Sequence, residues 1–218
     1  IVLVPAFAVG RAQALLHAIR LLKDAGLIPD LPVFLNSPMA EDVTRLFNRH
    51  SELHRLKPDE CAAMCRGVRF VNTEAESRAL NELRYPAIIV SASGMATGGR
   101  VVHHLEAYAP DPRNAVVFAG YQAMGTRGAA LVGGARQVRI HGRWIPVHAE
   151  IVSIEGLSAH ADRDELLAWL DALALPPRHV YVTHGDPEAA DALRQAISEK
   201  HGWECSVPEY RESVDVAS

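Results

Sequence analysis

Residues 87–100 read AIIVSASGMATGGR, a short run of Ile and Val followed at once by a loop rich in glycine and hydroxyl side chains. The apolar run is typical of a strand that is buried on both faces of a parallel sheet. The loop offers backbone N–H groups, the hydroxyls of Ser93 and Thr97, and the cationic side chain of Arg100. Because loops that join strands to helices bind anions well, this one predicts a phosphate site at the carboxyl edge of a sheet.

The glycines of this loop have a second interpretation. An ordinary strand-to-helix turn also needs glycine wherever φ is positive. The spacing is neither that of a Walker loop nor that of a dinucleotide fingerprint. Taken alone, the loop does not decide between a phosphate cradle and a structural turn.

The rest of the chain alternates short apolar runs with helical periodicity, which predicts an α/β fold with a Rossmann-like, mainly parallel sheet. Beyond Gly133 the pattern changes, and residues 137–140 and 145–154 are expected to pair as antiparallel strands around Gly142. The other predicted strands are 1–5, 32–35, 68–71, 87–91, 115–119 and 179–182, and the predicted helices are 11–23, 41–49, 58–65, 74–83, 163–174 and 187–200.

Composition narrows the class of protein. Of 218 residues, 49% are apolar and 22% are charged, which is the balance of a globular chain and excludes dominant disorder. No apolar run approaches the roughly 20 residues of a membrane span, so no membrane partner is expected. A net charge of −4 argues against a broad basic surface but is compatible with a local positive groove. Three cysteines without framework spacing favour a reducing, cytoplasmic location.

The chain opens on Ile1-Val2-Leu3-Val4, without an initiating Met or the basic region of a signal peptide. This segment has the composition of a strand. We therefore expect the 218 residues to be a piece of a longer protein.

Two histidines lie where a predicted helix is about to begin. His160 stands in Ser158-Ala159-His160-Ala161-Asp162, and His184 stands in Thr183-His184-Gly185. An imidazole at such a position can reach a cleft, bind zinc or assist chemistry at a phosphate, although a turn or capping role is the simpler alternative. Two histidines do not make a metal site. The remaining nine, which include His103, His104 and His148, show no ligand spacing and are expected to be surface or structural residues.

Eight short motifs occur in a fixed order along most of the chain. Together they resemble the β-CASP branch of the metallo-β-lactamase superfamily, above all its bacterial and archaeal RNA-degrading members and the cleavage-and-polyadenylation endonuclease. The motifs are Pro5–Gln13, Asn36–Ala40, Ser93–Met95, Gly98–Arg100, Gly120–Gln122, Gly125–Thr126, Ser158–Asp162 and Thr183–Gly185.

The resemblance implies a zinc-dependent ribonuclease in which a hydroxide that bridges two zinc ions attacks an RNA phosphodiester. By position, His160 resembles the histidine that faces the scissile phosphate, and His184 resembles a ligand to one zinc ion. Residues 1–152 would form the β-CASP domain, and residues 153–218 would form the C-terminal segment of the metallo-β-lactamase domain. The residues expected to bind the RNA backbone are Ser93, Gly94, Thr97, Gly98, Gly99, Arg100, Arg11 and Gln122.

The chain also departs from the family pattern. No His-x-His-x-Asp-His motif occurs, and the other family zinc ligands are missing, so the chain alone is expected to be inactive. Its expected partners are RNA and an N-terminal metallo-β-lactamase portion. Asn36 replaces an aspartate common in the family, which leaves its role open. Apolar surface near residues 151–154 and 180–182 predicts self-association into a homo-oligomer.

Two other functions stay open. The first is a non-catalytic RNA-binding or scaffold protein of the same superfamily, and the second is an α/β module that binds nucleotides or sugar phosphates. Retention of both His160 and His184 favours the nuclease over the scaffold, because degenerate sites usually lose their histidines. The phosphate-binding module would leave those two motifs without a purpose. The patterns do not distinguish internal cleavage of RNA from cleavage at an end.

Overall fold

The computed structural model describes residues 1–158 and 160–215, and it divides into two compact units, one of residues 1–158 and one within residues 159–218. The strands of the first unit are β1 (Val2–Pro5), β2 (Val33–Asn36), β3 (Val68–Phe70), β4 (Ile88–Ser91), β5 (Ala115–Phe118), β6 (Gln137–Ile140), β7 (Arg143–Pro146) and β8 (Glu150–Ser153). Its helices are α1 (Arg11–Asp24), α2 (Pro38–Arg49), α3 (Pro58–Cys65), α4 (Glu74–Ala79), α5 (Arg100–Tyr108) and α6 (Arg127–Val132), with 3-10 turns at Ser51–Leu53 and Leu80–Glu82.

Six strands form one parallel sheet in the order β3-β2-β4-β1-β5-β8. The central strand β1 pairs with β4 on one side, where Val4 is opposite Val90, and with β5 on the other, where Leu3 is opposite Val116. These strands are short and apolar, as residues buried on both faces must be. The predicted α/β fold with a mainly parallel sheet is confirmed.

Alternation along the strands divides the first unit into two hydrophobic cores. Leu3 belongs to one core and its neighbour Val4 to the other, as expected where successive side chains point to opposite faces. Helix α1 contributes Leu16 to the core that contains Val4, and helix α5 contributes Leu105 to the core that contains Leu3. The helices that follow β1 and β4 therefore pack on opposite faces of the sheet.

The single strand predicted over residues 145–154 was wrong. Strands β6 and β7 form a short antiparallel hairpin, and β8 then joins the main sheet parallel to β5. The bonding of the hairpin continues one residue past β7, because the N–H of Val147 donates to the carbonyl of Arg136 at 2.9 Å. The chain then leaves the hairpin, since the N–H groups of His148 and Ala149 both donate to the carbonyl of Ala109.

The second unit is small and has its own core. It contains α7 (Arg163–Asp171), β9 (Val180–Tyr181), α8 (Pro187–His201) and β10 (Cys205–Ser206), and the two strands pair in parallel. Asp162 caps α7: its carboxylate accepts from the N–H of Glu165, whose carboxylate accepts from the N–H of Asp162. The core is built from Leu170, Val182, Ala190 and Ile197. Within the described part of the chain, no helix combines the length and apolar character that a membrane span requires.

Truncating Leu105 to alanine tests the core on the α5 face. Leu105 is fully buried, so Leu105→Ala is expected to lower the free energy of unfolding by about 2–5 kcal/mol, because transfer and cavity costs add. Leu27→Ala is the matched control, since Leu27 is 71% exposed. Urea unfolding followed by circular dichroism measures both variants, and equal losses for the two would contradict this packing.

Candidate functional site

The loops that follow β1, β4 and β5 lie side by side at the carboxyl edge of the sheet, because these three strands are neighbours and all run parallel. The chain turns to one face of the sheet after β1 and to the other face after β4. Such a divergence opens a crevice between the two loops, which is where open α/β sheets bind ligands. The fold therefore places the predicted phosphate loop beside this crevice.

The loop after β4 is held in a compact turn. The hydroxyls of Ser93 and Thr97 are 3.2 Å apart, and the N–H of Ala96 donates to the carbonyl of Ser93 at 3.1 Å. Gly99 has a φ of +72°, and a Cβ there would lie 2.9 Å from the carbonyl oxygen of Ala92. No larger residue fits this conformation, so Gly99 has a structural role beside any part in binding.

The loops after β1 and β5 are joined to the loop after β4. The side-chain amide of Gln122 donates to the carbonyls of Gly94 at 3.2 Å and Gly120 at 3.1 Å. The guanidinium of Arg11, the first residue of α1, lies over Gly120, where an added Cβ would come within 3.7 Å of Arg11 Nη2. Phe7 packs against Gly94, where a Cβ would meet the ring at 2.8 Å. The structure thus places Arg11 against Gly120 and Gln122 against Gly94 at this edge, and their part in binding RNA stays a prediction.

Arg100 has partners within the protein. Its guanidinium donates to Asn36 Oδ1 at 2.9 Å, to the carbonyl of Val71 at 2.8 Å and to the carbonyl of Asn72. Arg100 is the first residue of α5, so these bonds fix the end of the Gly-rich loop against the end of β3. Its side chain contributes positive charge to this edge and also positions the loop.

Asn36 is fully buried at the end of β2, and its side chain connects several elements. Besides accepting from Arg100, it donates through Nδ2 to Ser77 Oγ at 2.8 Å and to His104 Nε2 at 2.6 Å. His104 in turn is 2.5 Å from Asn81 Oδ1 through Nδ1. The role left open for Asn36 is therefore at least structural. The pairing of both its amide atoms could not be predicted from the sequence, because the partners come from the distant helices α4 and α5.

The same contacts define the protonation state of His104. A neutral ring with its proton on Nδ1 donates to Asn81 and accepts from Asn36. Burial is the main cause that lowers the pKa of His104 from 6.5 to about 4, and the neighbouring charges of His103 and Arg100 lower it further. His104 is thus a structural histidine, as expected for it.

The two histidines predicted to act at the phosphate lie in the second unit. Both are exposed. His184 follows β9 with a φ of +64°, a conformation that is uncommon for any residue other than glycine and is enriched at functional sites. His160 stands two residues before Asp162, the capping residue of α7. Their assigned roles stay predictions.

Only one group of three His, Cys, Asp or Glu side chains in residues 1–158 and 160–215 is close enough to hold a metal ion, and it consists of His103, Glu106 and His141. Neither His160 nor His184 belongs to it. The described residues therefore do not fit a two-zinc centre around His184. This group was not predicted from the sequence, although His103 and Glu106 have the i, i+3 spacing that places two side chains on one helix face.

Lowering the pH should reduce the free energy of unfolding, because His104 takes up a proton less readily in the folded protein than in the unfolded chain. Its pKa in the folded protein lies below the ordinary value, so protons bind preferentially to the unfolded chain between pH 6.5 and about 4. The stabilisation is present above pH 6.5 and is lost as the pH falls through this window, by about 2 kcal/mol between pH 7 and pH 5. Urea unfolding at pH 7 and at pH 5 measures this difference in the free energy of unfolding. His104→Asn should flatten this dependence while His148→Asn, at an exposed site, should not; an unchanged slope in the first variant would contradict the assignment.

Comparison with known proteins agrees with this architecture. The chain matches the model of the β-CASP domain over residues 12–131 and that of the Zn-dependent metallo-hydrolase RNA specificity domain over residues 144–208. It is 37% identical over 222 residues to Ribonuclease TTHA0252 of Thermus thermophilus, covering 99% of this chain and 50% of that protein. It is 30% identical over 212 residues to Transcription termination factor FttA of Methanosarcina mazei, covering 92% of this chain and 33% of that protein. The same factor of Pyrococcus abyssi is 30% identical over 232 residues, covering 98% and 34%.

The chain thus spans half, or about a third, of the length of these curated relatives. The β-CASP model alone accounts for more than half of its residues, and the second model takes up most of the remainder. The parallel sheet, the order of the motifs and these matches agree, and the chain belongs to the β-CASP family of the metallo-β-lactamase superfamily.

Proposed function

We propose that this chain is the RNA-binding portion of a zinc-dependent ribonuclease that hydrolyses phosphodiester bonds in the cytoplasm. The observation that carries the proposal is the junction of three predicted loops at one sheet edge, where Gln122 bonds to Gly94 and Arg11 lies over Gly120. Family membership and the name of the Thermus relative, a ribonuclease, support RNA as the substrate. Residues 1–152 would be the β-CASP domain and residues 153–218 the C-terminal segment of the metallo-β-lactamase domain.

The RNA backbone would bind along the loop after β4. A phosphate there meets the hydroxyls of Ser93 and Thr97 and approaches the backbone closely at glycine positions, where no side chain intervenes. Arg11 adds a guanidinium and Arg100 adds a fixed positive charge behind the loop. Because the whole chain carries a net charge of −4, attraction to RNA must come from this local arrangement. The proposed contacts are Ser93, Gly94, Thr97, Gly98, Gly99, Arg100, Arg11 and Gln122.

Zinc would be held only partly by this chain. We assign His184 as one ligand, with the other ligands for two zinc ions supplied by an N-terminal metallo-β-lactamase portion outside these residues. His160 would face the scissile phosphate, where an imidazole stabilises charge or donates a proton to the leaving oxygen. Since the described residues lack a cluster around His184, the 218 residues alone should bind RNA without cutting it. Self-association through the exposed residues Ile154 and Tyr181 remains part of the proposal.

A negative charge in the Gly-rich loop should weaken RNA binding. Thr97 is exposed, so Thr97→Asp leaves the core intact and repels phosphate. The dissociation constant for a fluorescein-labelled single-stranded RNA should rise at least about fivefold, an effect of roughly 1 kcal/mol that shrinks as salt screens it. Fluorescence anisotropy at two salt concentrations measures this change.

Gln137→Asp is the matched control for this variant. It adds the same charge to an exposed side chain on β6. Its dissociation constant should stay close to that of the unchanged chain. Equal weakening by both substitutions would show that net charge, and not the loop, governs RNA binding.

Substitutions of the two histidines should have different effects in the full-length natural protein. His184→Ala is expected to reduce bound zinc and to abolish RNA cleavage. His160→Ala should keep its zinc and lower the cleavage rate by about 10²- to 10⁴-fold, the usual contribution of a positioned acid or base. Metal analysis together with cleavage of a labelled RNA separates these outcomes. Full zinc content in His184→Ala would overturn its assignment, and RNA binding without any cleavage in the unchanged protein would favour a non-catalytic RNA-binding protein.

A further inference from the structure

Three metal-ligating side chains meet on the first unit, away from the predicted ligand His184. His103 and Glu106 lie on one face of α5, and His141 lies at the turn between β6 and β7. Their potential ligand atoms are all within 4.8 Å of one another. His141 Nδ1 is 2.9 Å from Glu106 Oε2, and the rings of His103 and His141 are 4.6 Å apart at their centroids.

His141 occupies a turn position with positive φ that rarely holds a histidine. His141 has a φ of +46° and Gly142 a φ of +81°, the pair of positive angles that a two-residue type I′ turn requires. Asn or Asp usually precedes glycine in such turns, because a larger side chain is strained there. The histidine that occupies this position contacts Glu106 across the gap to α5.

We propose that His103, Glu106 and His141 form a site for one divalent transition-metal ion, with zinc as the expected occupant. Two imidazoles and one carboxylate are a common ligand set for this class of ion, and three protein ligands leave one position open. This proposal does not rest on the proposed ribonuclease function, since none of the three residues belongs to the predicted catalytic or RNA-binding set.

Small side-chain rotations are enough to form the site. Ligand atoms about 3.3 Å apart surround a tetrahedral zinc ion with bonds of roughly 2.0–2.1 Å, and the atoms here begin within 4.8 Å. His103 and His141 are exposed and can adjust without disturbing a core. The backbone of α5 and the paired strands of the hairpin hold the three residues in place, so little order has to be gained when the ion binds.

The carboxylate of Glu106 is prepared for a cation. Its Oε1 accepts from Arg143, which leaves Oε2 facing His141. A hydrogen-bonded partner on the second oxygen orients a ligating carboxylate, and Arg143 has that position.

The open coordination position can be reached from a cavity. A cavity of about 600 Å³ is lined by His103 and His141 together with Thr97, Gly98 and Gly99 of the Gly-rich loop. Water or another small oxygen ligand can therefore reach the ion from this side. A metal ion here would also tie the β6–β7 hairpin to α5 beside that loop.

Titration of the chelator-treated 218-residue chain with Zn²⁺ by isothermal titration calorimetry tests the proposal. One site is expected in the first unit. His103→Ala, His141→Ala and Glu106→Gln should each weaken it more than about 100-fold, since loss of a mere outer-sphere partner already costs about 10- to 100-fold. Visible absorption of the Co²⁺-loaded chain gives a second readout, because imidazole and carboxylate ligands in a tetrahedral field give an intense band.

Two controls separate this site from other histidines. His148→Ala removes an exposed histidine that bonds to the carbonyl of Pro110, and His50→Ala removes an exposed histidine whose Nδ1 lies 3.2 Å from Glu52. Both should bind Zn²⁺ with the affinity of the unchanged chain. Loss of binding only in a control variant, or unaltered binding in both His103→Ala and His141→Ala with folding verified by circular dichroism, would overturn the proposal. In that case the cluster is an ion-pair contact between the hairpin and α5.

Discussion

The side chain of Asn36 is the interaction on which the carboxyl edge of the sheet depends. A buried amide must satisfy both of its polar atoms, because an unpaired polar group in a protein interior costs about 1–3 kcal/mol. Asn36 does so by accepting from Arg100 and donating to Ser77 and His104, while its own carbonyl accepts from Ser91. Strands β2 and β4 and helices α4 and α5 are therefore joined at one point, directly beneath the Gly-rich loop. An aspartate at this position would accept from Arg100 but could not donate to a neutral imidazole.

The direction of the strands explains why the candidate binding residues meet. In a parallel sheet every strand ends at the same edge, so loops that are distant in sequence become neighbours there. Arg11, Gly94 and Gln122 follow three different strands and are brought together in this way. Hydrogen bonds between the loops then restrict their motion, so that under the proposed function the donors for a phosphate would be in place before it arrives. Such preorganisation reduces the entropy lost on binding.

Much of this architecture could be predicted from the sequence, for identifiable reasons. The strands of the main sheet are short runs of Val, Ile and Leu, and α3 was predicted over its observed range, Pro58–Cys65. Residues 145–154 could not be assigned correctly, because the same apolar residues suit a hairpin arm and an edge strand. The choice between them depends on the distant carbonyl of Ala109, which accepts from the N–H groups of His148 and Ala149.

The candidate sites, like the fold, could be predicted from the sequence only in part. Loops next to a strand end were found because glycine and hydroxyl residues mark them locally. The bonds of Arg100 to the carbonyls of Val71 and Asn72 have no local signal, since any backbone carbonyl can accept. The approach of His141 to His103 and Glu106 likewise depends on how the hairpin folds over α5. Information of that kind resides in packing between elements and not in the pattern of any one of them.

The division of the first unit into two cores has a consequence for how this protein can change over evolutionary time. Substitutions around Leu16 and substitutions around Leu105 lie on opposite faces of the sheet and share no side-chain neighbours in these cores. The energetic effects of such separated changes are additive to within about 0.5 kcal/mol. Neutral or compensating substitutions can therefore accumulate on either face of the sheet without changing the energetic effects of substitutions on the other face. Residues bonded through Asn36 are the exception, because they must vary together.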